Sequence, residues 1–275
     1  MPSPDHLAVL LTPLLIGLML AEWLVACVLG RRVHGGRQTL NNLAVAVGQR
    51  VVNSAVGLAP LAGYPWLQEH LGLLRWSPSE AWHWGAAFFA VDLAFYVRHR
   101  LAHRVAWLWA MHAVHHQSTE YNFTVATRLS WVQEALLFAV PLAILGLPLE
   151  MLLPLFVLGN LWQFVQHTEL VGTLGVLDAV LMTPSNHRVH HGCNPRYLDK
   201  NYGNILVIWD RLLGTWEREV EPVIYGTLDG LPTYDALENN LRPMIRLLRK
   251  AWSAPSWGGA LRCLVAPPGW VPGRG

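Results

Sequence analysis

The chain has 275 residues, 53% of them hydrophobic and 14% charged, with a formal net charge of +2. A charged fraction below the roughly 25% of an ordinary soluble domain points to a membrane, and so neutral a balance argues against nucleic acid or a polyanion as partner. Fourteen tryptophans agree with that reading, because indole collects where protein meets lipid headgroups, while thirteen histidines are the anomaly that a function must explain.

Residues 8–29 are apolar apart from Glu22 and cover the roughly 20 positions of a spanning helix. No basic residue precedes them and the run is too long for a signal core, so a retained helix is predicted rather than a cleaved leader. Arg31, Arg32 and Arg37 follow and mark the cytoplasmic side. Residues 43–63 are interrupted by Gln49, Arg50 and Asn53 and read as either a spanning or an interfacial helix. Residues 82–97 are apolar apart from His83 and Asp92, and residues 132–165 read as two helices joined around 146–148. If 43–63 spans, all but Arg50 and Arg75 of the 20 basic residues fall on one side, which favours spanning. The three cysteines, Cys27, Cys193 and Cys263, form no CxxC and suit a reducing compartment. The expected architecture is an all-α polytopic membrane bundle of four to five transmembrane helices with a cytoplasmic histidine-rich cap. Residues 1–84 form its N-terminal transmembrane region, and residues 218–275 an irregular or interfacial tail.

Three histidine clusters stand out: HRLAH (His99, His103), HAVHH (His112, His115, His116) and HRVHH (His187, His190, His191). Spacings of three and four stack side chains on one helical face, so each cluster is expected to aim its imidazoles at a common point. HxxHH should arise by chance on the order of 0.03 times in such a chain and is present twice. A ninth candidate is His167, at the end of an apolar helix, with Gln163 one turn before it and Glu169 just after. His6, His34, His70 and His83 lie outside the clusters and are read as interfacial or solvated.

Eight or nine histidines are too many for one ion, which implies two metals. Imidazole suits zinc, copper, iron and nickel, and ligand type does not choose among them. Soluble di-iron bundles bring carboxylates; neutral imidazoles leave the metal charge uncompensated and favour an electrophilic oxidant. HExxH, GxSxG, P-loop and GxGxxG motifs are all missing, which weakens hydrolysis, phosphoryl transfer and nicotinamide binding.

The segments HRLAH, WAMHAVHHQS and TPSNHRVHHGCNPRYLDKNYGNILVIWDRLLGTW resemble the fatty acid hydroxylase superfamily, or sterol desaturase family, of membrane di-iron oxygenases. The resemblance covers residues 85–217, and NLWQFVQHTEL with NPRYLDKNYG is most like its alkylglycerol monooxygenase members. It implies two non-haem irons, O2, and a lipid drawn from the bilayer whose unactivated C–H bond is hydroxylated or desaturated. Its metal ligands would be His99, His103, His112, His115, His116, His167, His187, His190 and His191. Some members carry a histidine where this chain has Gln163, which leaves one position to water or a weaker ligand. Electrons would come from outside, from a tetrahydropterin or a redox-protein chain. Asp92, Gln163, Glu169, Asp178 and Asn186 are candidates for orienting imidazoles, Arg188 for a lipid headgroup, and Asp199, Tyr202 and Asp210 for bracing the cap. The expected location is a bacterial inner membrane with the site on its cytoplasmic side. The alternatives are sterol, carotenoid or fatty-acid oxidation by the same chemistry, a zinc-dependent membrane hydrolase, and a metal-binding or transport protein without turnover. The last would string its histidines along a membrane path rather than bunch them at helix ends.

Overall fold

The computed structural model describes residues 4–56, 63–132, 135–228, 230 and 233–271. Its helices are α1 (Pro4–Val28), α2 (Gly36–Val56), α3 (Tyr64–Leu71), α4 (Ala81–Arg104), α5 (Ala106–His116), α6 (Phe123–Ala126), α7 (Ala135–Ile144), α8 (Leu149–Gln166), α9 (Pro184–His190), α10 (Ile208–Leu212), α11 (Ala236–Trp252) and α12 (Trp257–Val265). Pairing between extended segments is confined, among the described residues, to two isolated bridges, Leu181 with Leu206 and Gly192 with Tyr225. The all-α expectation holds.

Length and composition single out fewer spans than the four to five expected. Among the described residues two helical stretches are long and apolar enough to cross a bilayer, Leu11–Val28 in α1 and Leu149–Gln166 in α8. Helix α4 has the length, but Asp92, Arg98, Arg100 and Arg104 lower its hydropathy. Helix α2 opens with Gln38, Asn41 and Asn42, all buried against protein rather than turned to lipid. Part of the ambiguous 43–63 stretch, residues 57–62, lies outside the described residues.

The hairpin around 146–148 forms as the sequence suggests. Helices α7 and α8 meet at Gly146, whose φ of +89° is a conformation that L side chains rarely adopt. A Cβ there would also run into the Leu74 carbonyl oxygen. Phe138, Leu142, Leu147, Met151 and Leu152 pack with Ala87 and Val91 of α4 and with Tyr64 of α3. Tyr64 donates its hydroxyl to Leu147 O at 2.7 Å, so even the polar tip of this apolar layer is satisfied.

The polar half is built on α4 and α5. Val105 takes an extended conformation between them, so the first two histidine clusters lie on two helices rather than one. The C-terminal region is more regular than the sequence suggests. Residues 236–252 and 257–265 are helices, each started by a side-chain cap, Asp235 accepting from Leu237 N and Glu238 N, and Ser256 from Gly259 N. Of the Pro, Gly and Trp residues that read as irregular, Pro255, Pro267, Pro268, Gly269 and Trp270 flank α12, while Trp257, Gly258 and Gly259 form its first turn.

Candidate metal centre

All nine candidate histidines come together, and they divide into two groups. His99, His103, His112, His116 and His190 form one; His115, His167, His187 and His191 form the other, with potential ligand atoms within 4.8 Å of one another in each. This corrects the expectation that each cluster converges on one point. The i,i+4 pairs His99/His103 and His112/His116 share the first group and His187/His191 the second. One residue of offset rotates a helical position by about 100°. His115 and His190, each adjacent to a member of the other group, therefore cross over. The groups touch where His116 stacks on His191, with ring centroids 4.3 Å apart.

Backbone carbonyls set the rings. His99 Nδ1 donates to Tyr202 O at 2.9 Å, His190 Nδ1 to Lys200 O at 3.0 Å, His115 Nδ1 to Arg128 O at 3.1 Å and His167 Nδ1 to Gln163 O at 2.7 Å. A carbonyl oxygen only accepts, so these bonds fix the proton on Nδ1, and a neutral ring then presents Nε2 as a bare lone pair. His115 Nε2 and His167 Nε2 nevertheless face each other at 3.1 Å, with His187 Nε2 3.2 Å from His167. In the first group His112 Nε2 lies 3.1 Å from His99 Nε2 and 3.2 Å from His116 Nε2. Buried Nε2 atoms of His103, His190 and His191 have no hydrogen-bond partner among the described residues.

Protonation is a poor remedy for converging lone pairs here. Burial holds the His190 imidazole down to about 4 and His167 down to about 3, and pushes His112, His115, His116, His187 and His191 well below the ordinary histidine range. Neutral rings with inward lone pairs could share a cation. The all-nitrogen donor set fits a divalent transition metal, and two groups fit two ions.

The five polar residues expected to orient imidazoles act elsewhere or by another atom. Asp92 accepts from Ile205 N and Trp209 Nε1, fastening the 202–210 loop to α4. Gln163 serves His167 through its backbone oxygen, while its side chain reaches toward Gly203 O at 3.5 Å. Glu169 is hydrogen-bonded to Tyr225, which stacks on Tyr121, which in turn stacks on His167. Asp178 accepts from Thr183 Oγ1 and Leu174 N at the approach to α9. Asn186 donates to Asp178 O and Leu181 O.

The loop after α9 is braced by Asp199, Tyr202 and Asp210 as the sequence suggests, Tyr202 donating its hydroxyl to Asp199; the part of Asn201 and of the loop's backbone oxygens is what motif reasoning does not reach. Asp199 and Asn201 are non-glycine residues at φ +59° and +56°. Asn201 is held there by donating to Asn186 O and Glu217 O and accepting from Glu217 N. Asp210 accepts from Tyr202 N and Gly203 N, both at 2.8 Å. Together they aim Lys200 O and Tyr202 O at His190 and His99. Arg188 is not available to a headgroup: it is buried, paired with Glu219 at 2.7 Å, and donates to Thr168 O and Val171 O. His34, read as interfacial or solvated, is half-buried, with its Nε2 3.2 Å from the Glu22 carboxylate.

Comparison with known proteins bears on the same region. The family model for fatty acid hydroxylase matches residues 84–215. The chain is 34% identical to alkylglycerol monooxygenase of Homo sapiens over 266 residues, 96% of this chain and 60% of that protein. It is 35% identical to alkylglycerol monooxygenase of Danio rerio, over 96% of this chain and 59% of that protein. Ornithine lipid hydroxylase of Rhizobium tropici is 32% identical over 148 residues, half of this chain and 45% of that protein. The chain thus spans about 60% of the length of the two alkylglycerol monooxygenases. No solved structure matches it. Residues 84–215, which carry every histidine of both groups, thus form a domain of the fatty acid hydroxylase family.

Proposed function

We propose that the protein is a membrane-bound non-haem di-iron oxygenase that uses O2 to hydroxylate an unactivated C–H bond of a lipid, with the ether-linked chain of an alkylglycerol as substrate. The observation that carries the metal reading is the pair His115 and His167, whose Nδ1 atoms both donate to carbonyls while their bare Nε2 atoms face each other at 3.1 Å. The printed functions of the relatives, alkylglycerol monooxygenase and ornithine lipid hydroxylase, support oxygenation of a lipid.

Irons held by the nine histidines would supply O2 activation and the oxidising power to break the C–H bond. The chain does the rest. Neutral imidazoles add no negative charge to the metals, and carbonyl-fixed rings hold the donor atoms in place without reorganisation. Apolar surface would bind the acyl or alkyl tail, at about 0.8 kcal/mol per methylene buried. One oxygen atom enters the lipid as hydroxyl and the other leaves as water, with an electron pair and protons from an external donor, a tetrahydropterin or a redox protein. Hydroxylation beside an ether oxygen gives a hemiacetal, which opens to an aldehyde and glycerol. The apolar stretches of α1 and α8 support embedding in a bilayer, and the basic residues crowded on one side of the expected topology support a cytoplasmic site in a bacterial inner membrane. In the same reading residues 85–217 form the oxygenase domain.

The test is metal analysis of the purified chain, followed by anaerobic ferrous loading and O2-dependent turnover of alkylglycerol, sterol and fatty-acid substrates. Two irons per chain and alkylglycerol cleavage are expected, both lost in His167→Ala. Absence of iron together with unaltered turnover in that variant would sink the di-iron reading; turnover of sterol alone would sink the ether-lipid assignment.

A further inference from the structure

Helix α11 carries a face that nothing among the described residues covers. Leu237, Leu241, Ile245, Leu248 and Trp252 recur at helical spacing and are all exposed, Trp252 at 91%. Its opposite side, with Asn239, Asn240, Leu247 and Ala251, is buried against the rest of the protein. Helix α12 repeats the pattern with Trp257, 92% exposed, followed by Leu261 and Val265. Single exposed apolar residues are ordinary, but continuous stripes ending in tryptophan on two helices that pack together are not.

The charge beside the stripe selects its occupant. Arg242, Arg246 and Arg249 form a basic band along one flank of the apolar face of α11, whose one acid, Glu238, pairs with Arg242, while Lys250 donates to Trp270 O. A second copy docking about a two-fold axis would bring two such bands together. An anionic bilayer surface meets the band with opposite charge, takes the leucines below the headgroups and seats the indoles at the interface. We infer that α11 and α12 form an interfacial docking surface for the anionic leaflet, a membrane contact separate from the spanning helices. The pair is fixed to the histidine-bearing helix: Leu247 packs with Ala106 and Ala110 of α5, Met244 and Leu264 pack against that cluster, and Ala106 N donates to Ala266 O at 3.0 Å. Docking the pair therefore sets the height of the metal site above the lipid.

The inference rests on the membrane reading, and its test separates the two. The full chain is reconstituted in nanodiscs of phosphatidylcholine with or without phosphatidylglycerol, with p-benzoylphenylalanine in place of Ile245, of Trp252, or of Leu20 in α1. Photolysis products are identified by mass. Lipid adducts are expected at all three positions. At Ile245 and Trp252 the yield should rise about fivefold with phosphatidylglycerol, and the gain should disappear in Arg246→Gln/Arg249→Gln. Lipid adducts at Leu20 with none at Ile245 and Trp252 would overturn the docking surface while leaving the membrane reading intact. Chain-to-chain adducts at those positions would assign the face to a second copy and overturn it as well. Equal yields in neutral and anionic discs would remove the anionic-headgroup assignment.

Discussion

At the scale of single residues, the distinction that matters is between atoms that touch a metal and atoms that hold those atoms still. Asn201 belongs to the second kind. Its left-handed backbone and its bonds to Asn186 and Glu217 aim the carbonyls that fix His190 and His99. Asn201→Ala loses both the conformation and the side-chain bonds and is expected to lower metal affinity about 10- to 100-fold. Asn201→Gly keeps the conformation and should lose less. Metal content after dialysis against a graded chelator ranks the two, and equal retention by wild type and Asn201→Ala would remove the loop from the site. The nine histidines were legible because imidazole is rare and its spacing is a direct sign of shared helical faces. The groups that orient four of them were not, since they are backbone oxygens and every residue has one. The carboxylates that side-chain chemistry singles out, Asp92, Glu169 and Asp178, brace the scaffold or lie behind tyrosines.

At the scale of elements, Arg128 joins the N-terminal helices to the metal centre. It is fully buried, donating to Asn41 Oδ1 and Val114 O at 2.6 Å, to Gln117 Oε1 at 2.9 Å and to Asn42 Oδ1 at 3.1 Å, while its own carbonyl accepts from His115. Burial lowers its guanidinium to about 10, so it stays charged at neutral pH. One side chain thus ties α2 to α5 and supports a ring of the second group. Arg128→Met strands several buried acceptors and is expected to cost about 3 kcal/mol or more, seen as a lower thermal midpoint together with reduced metal content. A variant as stable as wild type would show that α2 is held by other contacts. The same contacts spend the polar start of α2, Asn41 and Asn42, on the cap, a tertiary fact that hydropathy does not contain, whereas Gln49, Arg50 and Asn53, which interrupt the 43–63 stretch, are half-buried or exposed. The α7–α8 hairpin was readable because its turn needs glycine locally, whatever packs around it. Gly146→Ala should lower the thermal midpoint in detergent, by about 1–3 kcal/mol of backbone strain; an unchanged midpoint would mean that the turn relaxes.

At the scale of the whole molecule, folding buries seven of the nine imidazoles, and half-buries His103 and His112, where water would otherwise solvate them. In the unfolded chain each binds a proton near its ordinary value of 6.5, whereas in the folded protein burial delays protonation to about 4 at His190 and about 3 at His167. Between those limits the unfolded state holds more protons, so metal-free protein should lose stability as pH falls below about 6.5, with the His190 contribution fully lost near pH 4 and that of His167 near pH 3. Bound metal opposes this, because a proton must displace the ion before it gains the ring. The expected result is a thermal midpoint that falls steadily from about pH 7 to pH 5 in chelator-treated protein, and one that is higher and flatter in the iron-loaded form. Metal should leave on further acidification, before the chain unfolds. A metal-free midpoint that stayed constant or rose as pH dropped would mean that the rings are hydrated in the free protein, and the argument from facing lone pairs would fail with it. The pH response of the metal-free form thus tests the preorganisation of both groups at once, independently of which lipid the protein oxidises.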